Sequence, residues 1–147
     1  MSSQVLVPDG GRRPAPTIAM KVEPDAAAFA VFESELAPGA PGPAPHRHLA
    51  DDEAFYVLAG SVAFLLDGEV TTCGPGSCVL VPRGVAHGFG NPSAEPARVL
   101  VVTTPGATRL VEGLHALRSR GAGPEEIADL YRRHDTELVA MPFGSPR

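Results

Sequence analysis

The stretch His46-Arg47-His48-Leu49-Ala50-Asp51-Asp52-Glu53-Ala54-Phe55-Tyr56-Val57-Leu58-Ala59-Gly60 carries more chemistry than any other part of this chain. In extended backbone, residues i and i+2 project to the same face, so His46 and His48 aim two imidazoles into one space while Arg47 faces away. Glu53 opens the next run and shares its parity with Phe55 and Val57, which places a carboxylate and two apolar side chains on the histidine side. A second block, Gly76-Ser77-Cys78-Val79-Leu80-Val81-Pro82-Arg83-Gly84-Val85-Ala86-His87-Gly88-Phe89-Gly90-Asn91, supplies a third imidazole at His87, with Phe89 in its parity.

Working outward, both blocks lie among short apolar runs separated by turn residues, the pattern of an all-β sandwich or barrel. Strands are expected at Thr17 to Val22, Ala28 to Leu36, Glu53 to Leu58, Ser61 to Leu66, Glu69 to Cys73, Cys78 to Val81, His87 to Gly90 and Ala97 to Thr103. Ala59-Gly60, Asp67-Gly68, Gly74-Pro75-Gly76, Arg83-Gly84 and Asn91-Pro92-Ser93 are turn chemistry, and Asp67-Gly68 suits a two-residue hairpin. After Pro105 the period becomes helical. Leu110, Val111, Leu114 and Leu117 form one apolar face, and Gly121-Ala122-Gly123 stops it. Pro124, Glu125 and Glu126 open a second helix, with Ile127, Leu130 and Tyr131 on its apolar side. The expectation is a barrel over residues 1–105 and a helical hairpin over 106–147 packed on it, either covering the outside of the fold or controlling access to its interior.

The two blocks together resemble the signature of the cupin family. Its first block runs glycine, five residues, His-x-His, three or four residues, Glu, six residues, glycine. His46, His48, Glu53 and Gly60 fit, while Gly39 stands six residues before His46 and departs slightly. The second block runs glycine, five residues, Pro-x-Gly, two residues, His, three residues, Asn, and Gly76, Pro82, Gly84, His87 and Asn91 match it throughout. Only fifteen residues separate Gly60 from Gly76, as in small bacterial single-domain cupins. The resemblance implies an all-β jelly-roll barrel, with His46, His48, Glu53 and His87 as ligands of one divalent transition metal ion (Fe, Mn, Ni, Co, Cu or Zn). Three neutral imidazoles and one carboxylate leave a net charge of about +1 on such an ion, and two open positions if it is octahedral.

Phe55, Val57 and Phe89 are expected to face this cavity as a substrate pocket. Phe29, Phe32 and Phe64 are expected in the core, His115 and His134 on the surface, and Asp51 and Asp52 in a solvated loop. The segment Glu53 to Gly68 and the C-terminal helices resemble the quercetin-dioxygenase-like group, in which Glu53 would also take a proton from substrate. That implies a dioxygenase acting on a small oxygen-rich aromatic or enolisable molecule. The alternatives are a non-redox cyclase, isomerase or decarboxylase of secondary metabolism, and a small-ligand-binding module without catalysis.

Composition sets the remaining limits. The chain has 147 residues, 44% of them hydrophobic and 20% charged, with a formal charge of −5. That balance argues against a general phosphate-backbone binder, so no nucleic-acid partner is expected. No apolar run approaches the roughly 20 residues of a membrane span, and no secretory signal opens the chain. A cytoplasmic protein is expected, with Cys73 and Cys78 as reduced thiols. The single lysine among many arginines and the abundant Gly, Pro and Ala suggest a GC-rich bacterial source. The apolar run Val5-Leu6-Val7 suits strand pairing between copies, hence a homodimer.

Overall fold

Turn chemistry and side-chain parity set the architecture here. The structure, a computed structural model, describes residues 2–140. Met1 and residues 141–147, the last part of the expected C-terminal extension, lie outside the described residues. The elements are β1 (Ile18–Val22), β2 (Ala30–Leu36), β3 (His46–His48), β4 (Glu53–Ala59), β5 (Val62–Leu66), β6 (Glu69–Cys73), β7 (Cys78–Val81), β8 (His87–Gly90), β9 (Ala97–Thr103), α1 (Pro105–Ser119), α2 (Pro124–Arg133) and β10 (Thr136–Leu138).

The strands form two five-stranded antiparallel sheets, ordered β1-β2-β9-β4-β7 and β10-β3-β8-β5-β6, as in a jelly roll. Alternation decides which side chains face inward. Along β2, Ala30, Phe32, Ser34 and Leu36 are buried while Glu35 is exposed, and along β9 Ala97, Val99, Val101 and Thr103 are buried. The core between the sheets joins Ile18, Met20, Phe32, Phe55, Val57, Val62, Phe64, Val81, Val99 and Val101. Phe29, expected there, is 48% exposed, because β2 begins only at Ala30 and Phe29 sits in the preceding loop.

The turns behave as their residues require. Leu66 and Glu69 pair across Asp67-Gly68, both at positive φ (48° and 90°), a two-residue type I′ hairpin. Between Cys73 and Cys78, the Ser77 amide donates to the Gly74 carbonyl (3.1 Å), turning the chain from one sheet into the other. Both cysteines are free thiols, Cys73 half-buried and Cys78 exposed.

Pro105 and Pro124 each occupy the start of a helix, where a missing N–H costs nothing. Helix α1 ends in a Schellman motif. The Ala122 amide donates to Leu117 O (3.0 Å) and the Gly121 amide to Arg118 O (3.1 Å), with Gly121 at φ +72°. Leu110, Leu114, Leu130 and Tyr131 form a second small core, and Val111 packs on the barrel core. Strand β10 was not expected. It returns from α2 to the sheet edge and pairs antiparallel with β3, placing Thr136 opposite His48.

Candidate metal centre and its cavity

The two sheets contribute different ligand types. His46 and His48 lie on β3 and His87 on β8, where His46 and His87 are direct cross-strand partners. Glu53 opens β4 in the facing sheet. One potential ligand atom from each of the four residues falls within 4.8 Å of the others, and the residues are only 1–5% exposed. The structure thus brings together all four residues read from the sequence.

Hydrogen bonding assigns the tautomers. His46 Nδ1 donates to Ala44 O (2.7 Å) and His87 Nδ1 donates to Val85 O (3.0 Å); a carbonyl can only accept, so both Nδ1 atoms carry the proton. Thr136 Oγ1 gives its proton to His134 O (2.9 Å) and so accepts from His48 Nδ1 (2.9 Å). In the neutral rings, all three Nε2 atoms are therefore left as lone-pair donors. His87 Nε2 lies 2.8 Å and His48 Nε2 3.2 Å from Glu53 Oε2. The latter is not aligned as a hydrogen bond, so His48 Nε2 is buried without a partner. Buried lone pairs converging on a carboxylate offer a place that a cation could occupy. The donor set fits a divalent ion, and its three imidazoles and one carboxylate suit a transition metal.

The electrostatics agree. Burial and the neighbouring His87 push His46 down to about 4, so this ring is neutral at physiological pH. Burial alone would raise Glu53, but His48 and His87 outweigh it and hold the carboxyl well below its usual range. Burial lowers His87, yet its bond to Glu53 prevails and the net direction is upward.

The other motif residues brace this arrangement. The Gly84 amide, in the turn Pro82 to Val85, donates to His48 O (2.7 Å) and fixes the ligand strand from behind. Asn91 is fully buried, donating to Leu36 O, Ala37 O and Glu95 O and accepting from Ser93; it clasps loops and does not face the centre. Asp51 departs from the expected solvated loop. It is 7% exposed, accepts from Thr104 Oγ1 (2.6 Å), and sits against Gly106 in the first turn of α1, where the helix dipole favours an anion. Asp52 pairs with Arg83, which holds it down to about 2.

Above the four residues opens a cavity of about 520 Å³, lined by Phe32, Phe55, Phe89, Val101 and other side chains, with His46, His48 and Glu53 in its wall. Phe55 and Phe89 lie where parity placed them, their ring centroids 5.1 Å apart. Val57 does not line the cavity: one pleat further along β4, it is fully buried between the sheets. Two features were missed in the sequence. Helix α1 forms one wall through Leu110, Val111, Leu114, His115 and Arg118, so His115 is a half-buried cavity residue and not a surface one. Thr136, 88 residues from His48, holds a ligand ring, and no local pattern announces it.

A family model described as the cupin domain matches residues 32–103. A solved sugar phosphate isomerase from a cupin superfamily, from Silicibacter pomeroyi, is 30% identical, with 67% of each chain covered and a TM-score of 0.53. The chain belongs to the cupin superfamily. The solved polyketide cyclase RemF from Streptomyces resistomycificus is 31% identical, with 70% of this cupin and 79% of that chain covered and a TM-score of 0.55. An uncharacterized protein from Streptomyces coelicolor is 46% identical over 61 residues, 42% of this chain and 54% of that one. The chain thus spans about half the length of the curated relative it matches. Among the described residues of this cupin, no helix is long and apolar enough to cross a membrane.

Proposed function

We propose that this cupin is a metal-dependent enzyme that holds a small, largely apolar, enolisable substrate by its oxygen atoms and promotes non-redox enolate chemistry of the cyclase or isomerase kind. The observation that carries the reading is the convergence of three Nδ1-anchored imidazoles and Glu53, with His46, His48 and Glu53 in the wall of a largely apolar cavity. His46, His48, Glu53 and His87 would hold the ion. A bound divalent transition ion supplies a Lewis acid for a carbonyl or enolate oxygen, and a redox-active one also supplies a route to dioxygen.

The chain's own residues do the rest. Glu53 is ionised, and its Oε2 faces His48 and His87, so its other oxygen is the acceptor for a substrate proton; base is its starting role. Phe55 and Phe89 orient a planar substrate, and Leu110 and Leu114 of α1 keep water from the reacting end. In this reading α1 controls access as well as bracing the fold.

Non-redox chemistry is supported by the two solved structures at 30% and 31% identity, one a sugar phosphate isomerase and one a polyketide cyclase. The second reading is a quercetin-dioxygenase-like oxygenase on an oxygen-rich aromatic or enolisable substrate. The donor set favours it in one respect, since it accepts Fe, Mn, Co, Ni or Cu as well as Zn. Turnover of a β-dicarbonyl, catechol and flavonol panel by metal-loaded protein separates the readings. Product formed equally under argon and air supports enolate chemistry, oxygen consumed in step with substrate supports the dioxygenase, and no turnover with any metal leaves a ligand-binding module.

A homodimer and a cytoplasmic location belong to the same proposal. Val5, Leu6 and Val7 are 93%, 43% and 68% exposed, a run suited to pairing with a second copy, and the free thiols suit a reducing compartment. Light scattering should return twice the 15.2 kDa of one chain.

A further inference from the structure

The face that α1 turns toward the cavity changes character along its length. Leu110 is 2% exposed and Leu114 5%, His115 is half-buried, and Arg118 is exposed. At about 1.5 Å per residue, Leu110 to Arg118 spans roughly 12 Å, so one helix stripe runs from an apolar interior to a basic rim. Among the described residues Arg118 pairs with no carboxylate, and neither do Arg13 and Arg109, which do not line the cavity, whereas Arg12, Arg47, Arg83, Arg98, Arg120, Arg132 and Arg133 all do. In a chain of net charge −5, a cation left without a counter-ion at the edge of a cavity is a selective feature.

The carboxylates nearby do not neutralise it. Glu35 borders the cavity, but β2 alternates and Glu35 is its exposed position, paired in register with Arg98 on the outer face. Glu53 lies at the buried end and is engaged by His48 and His87. Arg118 acts on His115, whose pKa is lowered by burial first and by this guanidinium second.

We propose that Arg118 and His115 form an anion-recognising rim, and that the substrate is an apolar or aromatic acid. Its carboxylate lies against α1 at the solvent end, and its oxygen functions reach His46, His48, Glu53 and His87. This rests on the cavity being the substrate site proposed above and adds the substrate's chemical class to it. Arg118 presents a planar fork matched to a carboxylate, and His115 adds a ring N–H donor beside it. Phosphate would meet the same donors, but the cavity lining is largely apolar, with Phe32, Phe55, Phe89, Val101, Leu110 and Leu114 in it, which favours a hydrophobic body.

The test is a fluorescence titration of the zinc-loaded full-length protein with 6-hydroxy-2-naphthoate and with the neutral 6-hydroxy-2-naphthamide. The acid should bind about tenfold more tightly than the amide. Arg118→Gln should erase that preference, leaving amide binding within about twofold, and Arg118→Lys should restore part of it. Equal affinities in the unmodified protein would overturn the rim. So would an acid preference that survives Arg118→Gln, which means the carboxylate sits on the ion. Zinc content of the same samples reports on the centre separately: protein that takes up no zinc refutes the metal reading, while the acid-to-amide ratio still judges Arg118.

Discussion

Replacing Thr136 with valine removes one buried hydroxyl and should weaken metal binding without unfolding the barrel. Thr136 is 3% exposed and sits between His48 Nδ1 and His134 O, each 2.9 Å away. Valine leaves His48 Nδ1–H facing a methyl group, and a buried unsatisfied donor costs about 1–3 kcal/mol. The ring can escape by moving its proton to Nε2, where Glu53 Oε2 waits 3.2 Å away. That tautomer has no lone pair for an ion, so metal binding must reverse the switch. A tenfold to hundredfold loss of affinity is expected, about 1.4–2.7 kcal/mol. Competition titration against a chromophoric chelator measures it, and nitrogen-15 NMR of the imidazole identifies the tautomer. Thr136→Ser keeps the hydroxyl and should bind nearly as the native chain does. Affinity within twofold for Thr136→Val, or an equal loss in Thr136→Ser, would refute the reasoning.

The remaining expectations are simpler. Alanine at His46, His48 or His87 should each abolish most metal content while the circular dichroism of the barrel persists, since the core is apolar; full loading in His87→Ala would remove that residue from the centre. Glu53→Gln keeps an oxygen ligand but loses charge and base, so turnover should drop far more than occupancy, by about 10²–10⁴-fold as for other lost general bases; unchanged turnover ends the proton-transfer role. Gly42→Ala should destabilise by at least about 2 kcal/mol in denaturant melts, because Gly42 sits at φ +69° and a Cβ there would lie 1.7 Å from Phe89 O. In metal-free protein, His46 titrates near 4 when folded against an ordinary 6.5. The unfolded chain therefore takes up a proton between those values that the folded chain refuses, and acidification costs stability there. His87, shifted upward, opposes this trend. His46→Gln should consequently flatten the fall in melting temperature between pH 6.5 and 4, and an unaltered fall would reject the assignment.

Much of the site is legible in the sequence because its signals are local. His46 and His48 share a strand face, and their parity is a property of extended backbone. The paired glycines and prolines at Gly74 to Gly76 and Pro82 to Gly84 announce turns whose conformations only certain residues adopt. What escaped is long-range. Thr136-Glu137-Leu138 is too short to show alternation, and its strand character comes only from pairing with β3. Likewise His115 looked like a surface helical residue because helix period shows which face is apolar, not that a half-polar flank of it overlooks a cavity. Val57 failed for the opposite reason: parity gives the face but not the depth, and one pleat along β4 the cavity has already closed.

The origin of β10 also dictates a timetable. Thr136 follows His48 by 88 residues, so at about 5–20 residues per second the ribosome delivers it roughly 4–18 s later. During that interval the first two imidazoles exist with one ring free to take either tautomer. Helix α2 must then form and swing β10 onto the sheet edge before that freedom ends. Any ion that the four residues hold would therefore meet a fully oriented His48 ring only after the C-terminal strand has docked on the sheet edge.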